Sequence, residues 1–187
     1  MKKIMLALVY TALALGANPS FGQSADIKPL RDGDMKKLVV HDSPVATSSV
    51  AFQLEDDRGE TTLEAWQGKY VLINFWATWC APCRKEMPLL AELQTELGGE
   101  DFEVVTIATG KNDPAAMARF FSEIGVTNLP LHADPNSAVA REMGVLGLPA
   151  TIIIARDGTE VARLLGDADW ASDSAKNILK ALIAAND

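Results

Sequence analysis

The sequence predicts a single α/β domain, a mixed sheet with helices packed on both faces. Three observations carry this. The runs Tyr70–Trp76 and Phe102–Ala108 are nearly continuous, apolar and β-prone, as central strands buried on both faces are. Segments of helical period, with start and stop signals, follow each of them. Arg156-Asp157-Gly158-Thr159 is a strong turn signal between 151–155 and 160–165, which predicts a closing antiparallel hairpin.

Taken in order, Val50, Phe52 and Leu54 alternate with polar or small residues. Asp57-Arg58-Gly59 turns the chain and Thr61-Thr62-Leu63 returns, giving an N-terminal β-hairpin. After the strand 70–76, Met87, Leu90, Leu93 and Leu97 form one helical stripe that Gly98-Gly99 stops. After the strand 102–108, Asp113 reads as a cap and Pro114 as the first residue of a helix running to Ile124, closed by Gly125. Leu129–His132 reads as a short strand and Ser137–Met143 as a short helix ended by Gly144. Ser172 opens the last helix, with Ile178, Leu179, Leu182 and Ile183 on its buried side. Strand and helix alternate in the middle, which implies parallel crossovers, whereas the end is antiparallel.

The domain is expected over 50–187. Before it, Met1-Lys2-Lys3, an uncharged apolar run from Ile4 to Ala17, and small residues at Ser20 and Gly22 follow the grammar of a secretory signal peptide over 1–22. The apolar run is short for a spanning helix, which points to cleavage after Gly22, with an uncleaved inner-membrane anchor as the alternative. Residues 23–49, polar and small with Pro29, Pro44 and several Ser and Thr, read as a flexible lead-in. Export to the periplasm is the expected localisation.

With 25 Asp and Glu against 17 Lys and Arg, the net charge is −8. That balance argues against nucleic acid as a partner and against docking of the folded domain on anionic lipid. Two cysteines do not make a disulfide-dense scaffold, and two histidines do not make a His-rich metal site.

Both cysteines lie in Trp79-Cys80-Ala81-Pro82-Cys83, between a buried strand and a helix. The unpaired N–H groups of a helix start favour negative charge, so a thiolate at Cys80 is stabilised there. Two intervening residues place Cys83 one turn inward, near enough to close a disulfide. Pro82 is tolerated because the first turn does not use its missing N–H. Cys80 is therefore expected as the exposed nucleophile and Cys83 as the shielded resolving thiol. A structural staple is disfavoured because so short a loop gains almost nothing from closure. Zinc would need two further ligands, and only His41 and His132 exist. No cofactor and no metal is expected.

The stretch Asn74-Phe-Trp-Ala-Thr-Trp-Cys-Ala-Pro-Cys-Arg-Lys-Glu-Met-Pro88 resembles the active-site segment of the thioredoxin superfamily, in particular its exported TlpA/ResA/CcmG branch. Gly147-Leu148-Pro149 is similar to that family's cis-proline loop, and Ala168-Asp-Trp-Ala-Ser172 looks most like TlpA. The resemblance runs from about Val50 to the C-terminus. It implies a thioredoxin-like fold with a central strand–helix insertion around 102–124. It also implies that Leu148 pairs through its backbone with a client chain beside the sulfurs. Trp79, Ala81, Pro82, Leu148 and Pro149 are the expected substrate-binding residues, and Trp66, Trp76 and Trp170 the expected packing residues.

In function, the resemblance implies a monomeric thiol-disulfide reductant of metal-ligand cysteines in cytochrome oxidase copper-site assembly. Its clients would be a copper chaperone and the oxidase copper subunit, with electrons supplied by a membrane thiol transporter. The alternatives are ResA/CcmG-like reduction of apocytochrome c and a non-catalytic copper- or client-binding module. Two departures bear on this. Asn74 stands where thioredoxin has a buried aspartate, and Gly110-Lys111-Asn112-Asp113 lacks the glutamate that several ResA and CcmG proteins carry after the inserted strand. That lack counts against the apocytochrome reading, and leaves water or Lys111 to deprotonate Cys83. Glu86 is expected to be a solvated side chain.

Overall fold

The computed structural model describes residues 26–55 and 58–185. The segment 1–22, expected as a signal peptide, lies outside them. Among the described residues eight strands, β1 (Val39–Val45), β2 (Phe52–Gln53), β3 (Glu60–Thr61), β4 (Tyr70–Trp76), β5 (Phe102–Thr109), β6 (His132–Asp134), β7 (Ala150–Ile154) and β8 (Glu160–Leu165), form one mixed sheet in the order β1-β8-β7-β4-β5-β6-β2-β3. Four α-helices, α1 (Ala81–Leu97), α2 (Pro114–Glu123), α3 (Ala138–Glu142) and α4 (Asp173–Ala184), cover its two faces. This is the predicted class.

The central strands alternate between two cores, as the two-residue period of a strand requires. Tyr70, Leu72 and Trp76 of β4 join Phe102, Val104 and Ala108 of β5 in the core under α1, α2 and α4. Val71, Ile73 and Phe75 join Val105 and Ile107 in the core with Val139 and Ala140 of α3. β4 runs parallel to β5, with Tyr70 opposite Phe102, and antiparallel to β7, with Phe75 opposite Ala150. Trp76 is fully buried against Phe120 and Phe121 of α2, at ring-centroid distances of 5.7 and 5.3 Å.

The lead-in is a correction. From Ile27 onward it is folded on the domain: Ile27, Met35 and Leu38 are buried in the core that holds Trp170, Ile178 and Leu182. β1 pairs antiparallel with β8, with Val40 opposite Ala162. Three well-spaced apolar side chains suffice to dock a polar segment whose backbone the neighbouring strand satisfies. Lys37 Nζ donates to the Asp167 carbonyl at 2.7 Å, and the Asp32 N–H donates to Ser174 Oγ at 2.9 Å. His41 Nε2 meets Glu160 Oε1 at 2.6 Å, and the Arg163 guanidinium holds both oxygens of that buried carboxylate.

The expected strand at 129–132 starts later, at His132, because Pro130 cannot donate to a ladder and Leu129 is drawn into the core. Buried Asp134 ends that strand and organises α3. Its Oδ1 accepts from the Ala138 N–H at 2.7 Å and its Oδ2 from the Ala140 N–H at 3.0 Å. Asp134→Ala would strand both donors in a covered site. A loss of about 2 kcal/mol in chemical denaturation is expected; unchanged stability would show that α3 does not depend on this cap.

Candidate active site

β4 and β7 leave the sheet at the same end, β4 by its C-terminus and β7 by its N-terminus, since Phe75 lies opposite Ala150. The loop after β4 carries the cysteines, and the loop before β7 carries Leu148 and Pro149. A buried strand thus fixes each half of the site. Cys80 is the N-cap residue of α1, and its N–H donates to the Ala77 carbonyl at 3.0 Å. Its Sγ accepts from the Cys83 N–H at 3.3 Å, so the sulfur sits where the helix start presents a free donor. Cys80 and Cys83 are disulfide-bonded, with Cα atoms 5.3 Å apart. Cys83 is 0% exposed and Cys80 5%, so the nucleophile expected to be exposed is itself nearly covered in the disulfide form and is only the less buried of the two.

The Leu148–Pro149 peptide bond is cis. The Pro149 carbonyl accepts from the Gly166 N–H at 2.9 Å, which ties the loop to the end of β8. Leu148 is half-buried against both cores. Around the disulfide, Ala81 and Pro82 are exposed and Trp79 is 68% exposed. Leu146, which sequence reasoning passed over, is 94% exposed two residues before the cis bond. Val145-Leu146 set between Gly144 and Gly147, just before the Leu148-Pro149 pair, is the signal that could have found it.

Beneath the sulfurs the expectation for Glu86 is overturned. It lies one turn beyond Cys83 on the buried face of α1 and is 1% exposed. Asn74 and Thr151 occupy facing positions of β4 and β7. Asn74 Nδ2 donates to Glu86 Oε1 at 2.8 Å and lies 3.0 Å from Thr151 Oγ1. The Ala168 N–H donates to Glu86 Oε2 at 3.2 Å. Burial pushes the Glu86 carboxyl up to about 7, against the opposing pull of Asn74 and the Ala168 N–H. Glu86 is among the residues lining a cavity of about 200 Å³, with Asp34, Lys85, Leu89, Asp167 and Asp169. The site therefore holds, one helical turn from the shielded thiol, a group that takes or gives a proton near neutral pH.

Lys111 is exposed, and Asp113 caps α2 by accepting from the Ala116 N–H at 2.8 Å. Trp170 is buried, and Trp66 is half-buried and stacked on Phe52. His132 Nδ1 accepts from the Glu55 N–H at 3.2 Å, and burial holds this imidazole below its usual range. Among the described residues no group of three His, Cys, Asp or Glu could hold a metal ion.

The chain is similar to the thiol-disulfide oxidoreductase ResA of Bacillus thuringiensis (strain Al Hakam), 32% identical over 122 residues that make up 65% of this chain and 68% of that one. It is 34% identical to the thiol:disulfide interchange protein HelX of Rhodobacter capsulatus, over 57% of each chain. The crystal structure of a thioredoxin-family thiol:disulfide interchange protein from Chlorobium tepidum shares the fold, with a TM-score of 0.63 at 21% identity over 77% of this chain and 99% of that one. The Redoxin family model matches residues 42–182. Since that match takes in both cysteines, Glu86 and the cis-proline loop, the protein belongs to the Redoxin family and is a thiol-disulfide oxidoreductase of thioredoxin fold.

Proposed function

We propose that the protein is an exported, periplasmic dithiol reductant of protein clients, with apocytochrome c as the client. The observation that carries the reading is the Cys80–Cys83 pair seated one helical turn from the buried Glu86 carboxyl. The Cys80 thiolate attacks one sulfur of a client disulfide, and the other client sulfur leaves as a thiolate and takes a proton. Cys83 gives its proton to the Glu86 carboxylate and attacks Cys80 Sγ. The second client thiol is released, and the enzyme is left oxidised. Two electrons and two protons from a membrane thiol transporter restore the dithiol. Glu86 returns its proton to solvent through the cavity beside it.

The ResA likeness supports the apocytochrome reading over copper-site assembly. The objection from sequence was the absence of a glutamate after the inserted strand, and Glu86 supplies a buried carboxyl from α1 instead. The client strand lies along Leu148 and Pro149, with Trp79, Ala81, Pro82 and Leu146 as its apolar seat.

The test is the full chain carrying Cys83→Ser, expressed in cells that make c-type cytochromes, with mixed disulfides through Cys80 identified by mass spectrometry. Apocytochrome c among the captured chains supports the reading. Capture of a copper chaperone or the oxidase copper subunit in its place overturns the client, and capture of nothing overturns the reductant role. In the same background Leu146→Ser is expected to lower capture roughly tenfold, the equivalent of about 1.5 kcal/mol of lost apolar burial. Its rate with a small disulfide should stay unchanged; an equal fall in both rates would remove Leu146 from the client surface.

A further inference from the structure

The cysteine-bearing loop has a second anchor, and it comes from the inserted strand–helix unit. Thr78, two residues before Cys80, directs both its N–H and its hydroxyl to Asn112 Oδ1, at 2.8 and 3.0 Å. Asn112 Nδ2 donates to the carbonyls of Thr109 and Gly110, at 3.1 and 3.2 Å. The amide thus uses two acceptor and two donor directions at once. Its orientation is fixed by partners that are themselves fixed: an N–H can only donate and a carbonyl can only accept. Aspartate lacks the donors and serine lacks the reach.

The platform under Asn112 is rigid. Gly110 takes a φ of 77°, a left-handed turn that a side chain would strain, and its N–H is held by the Asp134 carbonyl at 2.9 Å. On the other side Asp113 caps α2, whose Phe120 carries the Arg84 guanidinium of α1 at 4.1 Å from its ring centre. The residue next to the sulfur contributes no comparable anchor, because Trp79 is largely exposed.

We propose that Asn112 is a positioning residue for thiol–disulfide exchange, clamping the Thr78–Cys80 loop so that Cys80 Sγ stays on the free N–H groups at the start of α1. In the reduced protein that placement stabilises the Cys80 thiolate, which favours the dithiol and speeds attack at neutral pH. With the clamp removed the sulfur leaves the helix start for part of the time. The thiolate fraction then falls, and the equilibrium with a thiol buffer moves toward the disulfide. The effect acts through Cys80 and does not depend on which client is reduced.

Asn112→Ala in the full chain tests this. The rate of Cys80 alkylation by iodoacetamide at pH 7 is expected to fall about fivefold. The equilibrium constant against glutathione should shift severalfold toward the oxidised protein. Thr78→Val removes only the hydroxyl contact, so it is expected to shift both readings in the same direction by less. The double variant should add little to Asn112→Ala. Unchanged alkylation and equilibrium in a folded Asn112→Ala protein, whatever its melting temperature, would overturn the proposal. Should Asn112→Ala fail to fold, unchanged readings in Thr78→Val would do the same.

Discussion

Replacing Cys80 by serine is expected to reduce disulfide exchange to background with every substrate, whereas Cys83→Ser should complete the first attack and then stop. The difference follows from where the sulfurs lie. Cys80 holds the outer position on the helix start, and Cys83, fully buried one turn inward, reaches only Cys80. A serine at position 80 stays a neutral hydroxyl at any working pH and cannot form the mixed disulfide. A serine at position 83 leaves the nucleophile and its helix N-terminus intact but removes the thiol that resolves the intermediate. Quenched single-turnover assays with a protein disulfide, resolved on non-reducing gels, check this. Stoichiometric mixed disulfide from the Cys80→Ser protein would reverse the roles of the two sulfurs.

The second large effect belongs to Glu86, and it appears in both stability and rate. A carboxyl raised from 4.5 to about 7 on folding binds its proton more tightly in the folded state than in the unfolded one. Between those two values the folded protein holds the extra proton, so its stability falls as pH rises through the window. The loss is on the order of 3 kcal/mol by pH 8. Asp32, Asp34, Asp42 and Glu96, each held low by a lysine partner, titrate below this range and are common to both proteins. Denaturation of Glu86→Gln should therefore lose the decline that the parent shows from pH 5 to pH 8, leaving the rise with pH that buried His132, common to both proteins, contributes. The same substitution removes the proton acceptor for Cys83 and should slow resolution of the mixed disulfide about a hundredfold at pH 7. Parallel pH profiles for the two proteins would show that Glu86 does not titrate in the window. Undiminished resolution would show that it is not the acceptor.

The elements that sequence reasoning placed well are those whose signal is local. β4 and β5 are apolar on both faces, α1 shows its stripe, α2 its Asp-Pro start and β7–β8 their turn. β1 was illegible because Val39–Val45 has no buried face: every residue is exposed or half-buried, and the strand exists only because β8 is there to pair with it. Glu86 was misjudged by its residue type. Yet Cys83, Glu86, Met87, Leu90 and Leu93 are the buried residues of α1, and a charge inside that stripe, three positions from the inner cysteine, was the available clue. Asn112 gave no clue, since the two bonds that tie it to the cysteine loop reach Thr78, 34 residues away in the chain.

β1 has a consequence for life among unfolded chains. Without it β8 would be the outer strand, a long row of unpaired amides beside an oxidoreductase that handles other proteins' backbones. With it, the outermost strand at that margin carries Asp42 and Pro44, a charge and a residue that cannot donate, while the opposite margin is the two-residue β3 with Glu60. Both margins are poor templates for a stray strand. On the proposed reading a client strand adds instead along Leu148 and Pro149 beside the disulfide, so that contact with this protein leads to chemistry rather than to co-aggregation.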